Sequence, residues 1–304
     1  MISVVIPLYN KEQSISSTLQ SVCEQTYTDM EIIVVNDGSI DNSAVVATSY
    51  SDARIRVLNK ENGGVCSARN RGIEEAKGEF IALLDGDDIW DKEYLAEQVK
   101  MIRDFQEAAM WGINFAEVHN GQLIRRLSTG LPDGYRGYVD DYFHMRGRVS
   151  DLFCSSSVVI RRDVFGKVGN FDERLKYSED TDMWWRIIAT YPVAFYDRYM
   201  AFYRYDAENR AMQRGMRLRY DSPFVVDKYQ EKQWKEKKEF YQWINRYSAQ
   251  WIARYLFEDN QRDDAYEAAR KLDYSVIPMK YKLLLKTPYW FGAFLYRTIR
   301  KLKR

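Results

Sequence analysis

The chain has 304 residues, 46% of them hydrophobic, and a formal net charge of +1, which is enough apolar content for a globular domain with an appendage and rules out a disordered tail or a fibre. The balanced charge excludes a nucleic-acid binder that works through bulk electrostatics, since such a domain carries a clear basic excess. Cys23, Cys66 and Cys154 are far apart and odd in number, so they suggest neither a disulfide framework nor a zinc site, and a reducing, cytoplasmic compartment is the natural setting.

Residues Met1 to Asn10 form an apolar run without a basic leader or a cleavage site, which predicts a strand over Ile2 to Leu8 rather than a signal peptide. Ile15, Leu19, Val22 and Cys23 follow at helical spacing. A strand is predicted over Glu31 to Asn36, a helix from the Asp41 or Asn42 cap to Tyr50 and a strand over Arg54 to Leu58. A helix over about Val65 to Ala76 and a strand over Glu79 to Leu84 come next. This βαβαβαβ order predicts a mainly parallel sheet with helices on both faces, whose ligands bind outside the carboxyl ends of the strands.

The unusual residues fall at that edge. Pro7, Tyr9 and Asn10 follow the first strand, and Asn36-Asp37-Gly38-Ser39 follows the second. Asn62-Gly63-Gly64 follows the third and leads into Ala68-Arg69-Asn70-Arg71-Gly72, and Asp85-Gly86-Asp87-Asp88 follows the fourth. Each alone is ordinary loop chemistry; four in sequence at one edge describe a pocket. Crowded carboxylates raise one another's pKa unless a hard divalent cation sits among them, so the Asp85 cluster reads as a metal and phosphate site. Tyr9 offers a flat face, Asp37 an acceptor suited to an imide N–H, and Arg69 a cation for phosphate or base, a set that a uridine-type nucleoside diphosphate satisfies. Neither a P-loop nor a Gly-x-Gly-x-x-Gly fingerprint is present to explain the pocket.

Farther along, Ala109 to Glu117, Ser155 to Arg161, Val193 to Asp197 and Met200 to Tyr205 read as strands that complete a mixed sheet. Asn170-Phe171-Asp172-Glu173 reads as a turn or as the lining of an acceptor site. Glu179 and Asp180 open a helix whose apolar face is Met183, Trp184, Ile187 and Ile188, and favourable charge at a helix N-terminus is their plain structural explanation. His119 and His144 read as incidental polar positions. The predicted domains are 1–211, divided into a nucleotide-binding half 1–105 and an acceptor half 106–211, and a helical extension 212–304. In the extension Trp234, Phe240, Tyr241, Trp243, Ile244, Tyr247, Trp251, Ile252, Tyr255 and Leu256 recur at helical spacing, and Gln261 to Ala269 reads as a further helix. These aromatics suit packing on the main domain or a homodimer. Tyr289 to Arg304 joins aromatics to a basic end, which suits either a helix at an anionic membrane surface or one packed on the protein with its cations in water. No apolar stretch is long enough to span a bilayer.

Val4-Val5-Ile6-Pro7-Leu8-Tyr9-Asn10, Val34-Val35-Asn36-Asp37-Gly38-Ser39, Asn62-Gly63-Gly64 with Ala68-Arg69-Asn70-Arg71-Gly72, Leu83-Leu84-Asp85-Gly86-Asp87-Asp88 and, later, Ser178-Glu179-Asp180-Thr181-Asp182-Met183-Trp184-Trp185-Arg186 resemble, in order and spacing, the family 2 glycosyltransferases. The resemblance implies a Rossmann-like GT-A fold, a nucleotide-sugar donor, a Mn²⁺ or Mg²⁺ ion and transfer with inversion. By that likeness Pro7, Tyr9, Asn10, Asp37, Asn62, Gly63, Arg69 and Gly86 contact the nucleotide. Asp85 meets the ribose or the metal and Asp87 is the direct ligand. Asp88 either joins them or meets a sugar, and the sequence does not order the three carboxylates. Asp180 is the implied general base, with Glu179 the alternate, and Trp184 and Arg204 are placed toward the donor or acceptor sugar. Some members carry a later histidine ligand; here that stretch reads Tyr203-Arg204-Tyr205-Asp206-Ala207-Glu208-Asn209, leaving Arg204 or Arg210 to meet phosphate. The implied activity is metal-dependent hexosyl or N-acetylhexosaminyl transfer, from a UDP-sugar, to a glycan or lipid-linked glycan in polysaccharide or glycolipid synthesis. A cytoplasmic location at the inner face of the membrane suits that acceptor. The alternative is a non-catalytic nucleotide-sugar-binding scaffold. An Asp-x-Asp phosphohydrolase is disfavoured, because its nucleophile follows the first strand and this cluster follows the fourth.

Overall fold

A computed structural model describes residues 1–124, 129–145, 152–209, 226–258 and 262–301. Two compact units are present, Met1–Glu173 with Glu179–Arg214, and Gly215–Arg304 with Arg174–Ser178. The expected boundary at 211/212 lies outside the described residues.

The first unit runs β1 (Ile2–Leu8), α1 (Ile15–Cys23), β2 (Met30–Asp37), α2 (Ser43–Thr48), β3 (Ile55–Lys60), α3 (Val65–Glu75) and β4 (Phe80–Leu83). It continues with β5 (Ile89–Trp90), α4 (Tyr94–Asp104), β6 (Met110–His119), β7 (Gln122–Ile124), β8 (Arg136–Tyr138), α5 (Tyr142–Met145), β9 (Val158–Arg161), α6 (Phe165–Val168), α7 (Glu179–Ile188) and β10 (Val193–Arg204). The sheet order is β3-β2-β1-β4-β9-β6-β10-β5, with β7 on β6 and β8 on β10. β3, β2, β1 and β4 are mutually parallel. β9 enters antiparallel between β4 and β6, while β10 pairs parallel with β6. This is the mixed, mainly parallel sheet that the alternating pattern predicts.

The near-continuous apolar runs of β1 and β2 arise because both faces of the sheet are covered. On one face Val4, Ile6, Ile32 and Val34 pack with Ile15, Leu19 and Val22 of α1. On the other, Val5 and Val35 meet α3 so closely that a Cβ on Gly72 would lie 2.3 Å from Val5 Cγ1 and 3.3 Å from Val35 Cγ2. That glycine lets the helix carrying Arg69 sit directly on the strands.

Two departures from the expected elements have local causes. Ser155–Ser157 is a 3-10 turn rather than strand, because Ser157 Oγ bonds the Cys154 carbonyl and N–H at 3.0 Å, the local side-chain competition typical of serine. Val193 to Arg204 is one strand with a register break between Tyr196 and Ala201. Asp197 in the break accepts from buried Asn114 Nδ2 at 2.7 Å and from the Gly134 N–H at 3.1 Å. β5, β7 and β8 were not expected. The cysteines are free, and His119 stacks on Tyr205 at 4.2 Å with its Nε2 2.9 Å from Glu117.

The second unit contains α8 (Lys232–Lys235), α9 (Lys238–Glu258), α10 (Arg262–Arg270), α11 (Met279–Lys286) and α12 (Tyr289–Lys301). Edge-to-face contacts among Tyr229, Trp234 and Phe240, with centroids 5.4–6.0 Å apart, fill one end of its core. Tyr241 Oη donates to Asp273 at 2.8 Å, and Asn245 Oδ1 accepts the Asp273 N–H at 2.9 Å, so α9 holds the loop after α10. The aromatic spacing of α9 therefore reports helix packing.

Replacing Gly72 by alanine is expected to lower stability. Alanine returns about 1 kcal/mol of helix propensity, but overpacking against a central strand costs about 1–3 kcal/mol. Urea unfolding should show a net loss, and an unchanged midpoint would mean that α3 can lift off the sheet at no cost.

Candidate active site

The four strand-end segments converge as expected, and they do so by bonding to one another. Asn10 takes φ 52°, a left-handed conformation that asparagine tolerates. Its N–H donates to Ser39 Oγ at 3.1 Å and its Oδ1 accepts from the Ile40 N–H at 2.9 Å, joining the loops after β1 and β2. Asp37 ends β2 buried. Its Oδ1 accepts from Lys60 Nζ at 2.6 Å and the Gly63 N–H at 3.0 Å, and its Oδ2 from the Gly64 N–H at 2.8 Å. Asn62 Nδ2 donates to the Asp37 carbonyl at 2.8 Å. Asp37 thus organises the loop after β3, and only one of its four lone-pair sites remains for an imide N–H. Tyr9 and Pro7 are half-buried at the same edge.

The three aspartates differ sharply in environment. The Asp85 N–H donates to Ser156 Oγ at 3.1 Å, and Asp85 Oδ1 accepts from Arg69 Nη2 at 2.7 Å. Gly86 crosses the end of β1 so closely that a Cβ would lie 2.9 Å from the Pro7 carbonyl, a contact that only glycine permits. Asp87 Oδ2 accepts from Lys11 Nζ at 2.5 Å, and the same ammonium reaches the Glu208 and Asn209 carbonyls at 2.5 and 3.4 Å. Burial raises the Asp87 pKa, Lys11 opposes the rise and Asp85 adds to it. Asp88 is 1% exposed, with Oδ2 accepting from Ser156 Oγ at 2.5 Å and Oδ1 from the Arg204 N–H at 3.0 Å. Burial, then Asp87 and Asp85, hold its pKa well above the usual carboxylate range.

Arg69 joins this cluster to α7. Although only 2% exposed, it donates from Nη2 to Asp85 and from Nη1 to Glu179 Oε1 at 2.8 Å, and it lies 5.4 Å over the Phe171 ring. Burial alone would lower the guanidinium pKa; Asp85 and Glu179 outweigh it and raise it. Asn70 fixes the segment before α7 by exchanging hydrogen bonds with Phe171, at 2.9 Å to its N–H and 3.0 Å to its carbonyl. Asn170 to Glu173 is therefore a clamped support under Arg69. Beside Glu179, half-buried Asp180 accepts at Oδ1 from the Thr181 N–H at 2.6 Å and Oγ1 at 3.2 Å. Burial, reinforced by Glu179 and opposed by Arg69, raises its pKa to about 6.

Of the three residues expected to face a sugar, Trp184 needs correction, while Asp88 and Arg204 are tied to the protein around them. Asp88 has both oxygens engaged and braces the loop from below. Trp184 is 1% exposed, edge-on to Phe171 at 6.3 Å, so the phase of α7 turns it into the core and away from any sugar. Arg204 holds Asp88 through its N–H and Ser17 Oγ through Nη1 at 3.0 Å. Arg210 lies outside the described residues. Conversely, Lys11, Ser156 and Glu208 were not singled out. Glu208 accepts at Oε1 from the Gln13 and Ser14 N–H groups at 3.1 Å and at Oε2 from Ser14 Oγ at 2.5 Å, at the start of α1. Lys11 was legible in principle: a carboxylate cluster needs a cation, and this lysine is the first one beyond β1 at the same edge.

Among the described residues no three His, Cys, Asp or Glu side chains are grouped to hold a metal. Asp85 and Asp87 nevertheless fit one. A Mg²⁺-type ion takes one or two carboxylates and completes its shell with water and substrate phosphate, and an ammonium already rests on Asp87 with main-chain carbonyls around it.

A family model described as glycosyl transferase family 2 matches residues 3–169. An uncharacterized glycosyltransferase of Rickettsia felis is 32% identical over 212 residues, covering 68% of this chain and 35% of its own length. Escherichia coli WfgD, a UDP-Glc:α-D-GlcNAc-diphosphoundecaprenol β-1,3-glucosyltransferase, is 37% identical over 128 residues, 42% of this chain and 50% of WfgD. The chain spans 28–61% of the length of five Rickettsia relatives that match it. In fold it is similar to S. aureus TarS 1–349 solved with UDP-GlcNAc, with a TM-score of 0.72 at 19% identity over 99% of this chain and 90% of that one.

Arg69→Gln should cost about 3–5 kcal/mol in urea unfolding at neutral pH, because it leaves Asp85 and Glu179 without their buried counter-charge. A loss under about 1 kcal/mol, the scale of a surface pair, would show that the carboxylates do not depend on it.

Proposed function

The chain belongs to the family 2 glycosyltransferases, and from that premise we propose that it moves a hexosyl or N-acetylhexosaminyl unit from a UDP-sugar to an acceptor hydroxyl, with inversion and with a Mn²⁺ or Mg²⁺ ion. The observation that carries the reading is one chain of contacts: Asp85 and Asp87, each paired with an internal cation at the edge of the parallel strands, and Arg69 linking Asp85 to the Glu179-Asp180 pair. Tyr9, Asn10, Asn62 and Gly63 form the rim on which the nucleoside rests, with Pro7 and Gly86 below it and Asp37 offering its remaining acceptor site.

Asp85 and Asp87 would hold the ion together with diphosphate and water oxygens. When bound, it supplies Lewis-acid stabilisation of the charge that develops on the departing diphosphate, so no protonated side chain is needed there. Asp180 receives the proton of the acceptor hydroxyl. Its Oδ1 is fixed by Thr181, while no described residue donates to its Oδ2. Its raised pKa makes it a stronger base than an exposed aspartate while keeping it ionised at neutral pH. Glu179, engaged by Arg69, keeps the Asp180 pKa high.

The acceptor we assign is a hydroxyl of a glycan carried on a lipid, for polysaccharide or glycolipid synthesis at the inner face of the membrane. The donor and acceptor classes of WfgD support that assignment.

Asp180→Asn should keep donor binding and lower kcat by about 10²–10⁴-fold, since an amide cannot accept the proton. Because Asp180 must be ionised to act, kcat/KM should rise with pH through about 6 and then level off. Turnover at the wild-type rate by the variant would move the base elsewhere. Asp87→Asn should weaken UDP binding in the presence of Mn²⁺ by roughly tenfold or more and leave it unchanged in EDTA. Calorimetry showing equal affinities in both conditions would remove Asp87 from the metal site.

A further inference from the structure

α12 is inside out for a surface helix. Its inward stripe is Tyr289, Gly292, Ala293 and Tyr296. The two tyrosine rings lie 5.7 and 5.3 Å from Phe257 of α9, and Tyr296 Oη donates to Glu258 at 2.7 Å. A Cβ on Gly292 would come 2.8 Å from Phe257, so the helix is seated tightly in this rotation. The outward stripe is consequently Trp290, 73% exposed, then Phe291, Phe294, 64% exposed, Arg297 and Thr298. On α11, Met279 and Leu283 are exposed beside Lys280 and Lys286. Large aromatics turned to water by a helix whose inner face is well packed need a partner.

Charge identifies that partner. Residues 274–304 contain eight Lys or Arg and no Asp or Glu, whereas the chain as a whole is balanced at +1. No helix among the described residues is long and apolar enough to cross a membrane. Aromatics and cations on one helix face, with no span, match the depth profile of a bilayer interface: rings sink to the acyl boundary, and Lys and Arg stay among anionic headgroups. We propose that the outward face of α12, together with Met279 and Leu283 of α11, lies in the plane of an anionic lipid surface. A second copy of the chain would bury the aromatics but would bring these one-signed basic segments together. This inference stands on the second unit alone and goes beyond the transferase reading.

The test is co-sedimentation of the full chain with vesicles of neutral phosphatidylcholine, and with vesicles in which about one-third of the lipid is anionic phosphatidylglycerol. The wild type should partition onto the anionic vesicles, with binding falling as salt screens the attraction. The W290S/F294S double variant should bind at least roughly tenfold more weakly. Both side chains are exposed, so its melting temperature and its UDP affinity should be unchanged, which separates this inference from the donor-site reading. Equal binding to neutral and anionic vesicles, or equal binding by wild type and variant, would overturn the proposal. So would a wild type that ignores vesicles and sediments as a dimer which W290S/F294S converts to monomer, because the face would then belong to a second copy.

Discussion

Several carboxylates must share one partly buried edge of the sheet, and the rest of the site is arranged to make that tolerable. Two carboxylates about 4 Å apart repel by about 4 kcal/mol at an effective dielectric of about 20, and Asp85, Asp87, Asp88, Glu179 and Asp180 gather at this edge. The protein answers with cations from its own chain: Arg69 between Asp85 and Glu179, and Lys11 on Asp87. Placing Arg69 there requires α3 to lie flat on β1 and β2, which Gly72 allows. It also requires the segment before α7 to be fixed by Asn70. Sheet packing and site electrostatics are therefore one problem with one solution.

The same arrangement divides labour among the acids. Asp37 uses three of its four acceptor sites on the protein and Asp88 one on each oxygen, and both give the loops their shape. Asp85 and Asp87 are bound to side-chain cations, partners that can be exchanged for others. Asp180 keeps an oxygen to which no described residue donates, and it carries a raised pKa. Identical side chains a few residues apart thus acquire separate roles from burial and hydrogen bonding alone.

The β1 to β4 half was legible because its strands are buried on both faces and punctuated by glycine and asparagine, leaving clear apolar runs. β5, β7 and β8 have two or three residues each and are too short to show a period. The break in β10 makes one strand look like two, because the register shift between Tyr196 and Ala201 puts the consecutive polar residues Asp197 and Arg198 into the apolar pattern. Within the site, residue type could be read but direction could not. Trp184 reads as a sugar-facing residue, but the rotation of α7 places it in the core, and nothing in the sequence marks Asp88 as held by Ser156, some 70 residues away. Lys11 went unread because a lysine in a loop is usually a solvated charge; what distinguishes it is a partner 76 residues away. The inside-out rotation of α12 was likewise invisible, since aromatics occupy both of its faces and only the contact with Phe257 decides which one is buried.

The central claim is that this edge binds a nucleoside diphosphate through a divalent ion. The most direct measurement is the melting temperature with UDP, GDP and dTDP, each in Mn²⁺ and in EDTA, since a ligand that binds only the folded state raises it. The account predicts a rise with UDP that Mn²⁺ makes possible and EDTA abolishes. A melting temperature that no nucleotide moves, or a UDP-induced rise of the same size in EDTA, would contradict it.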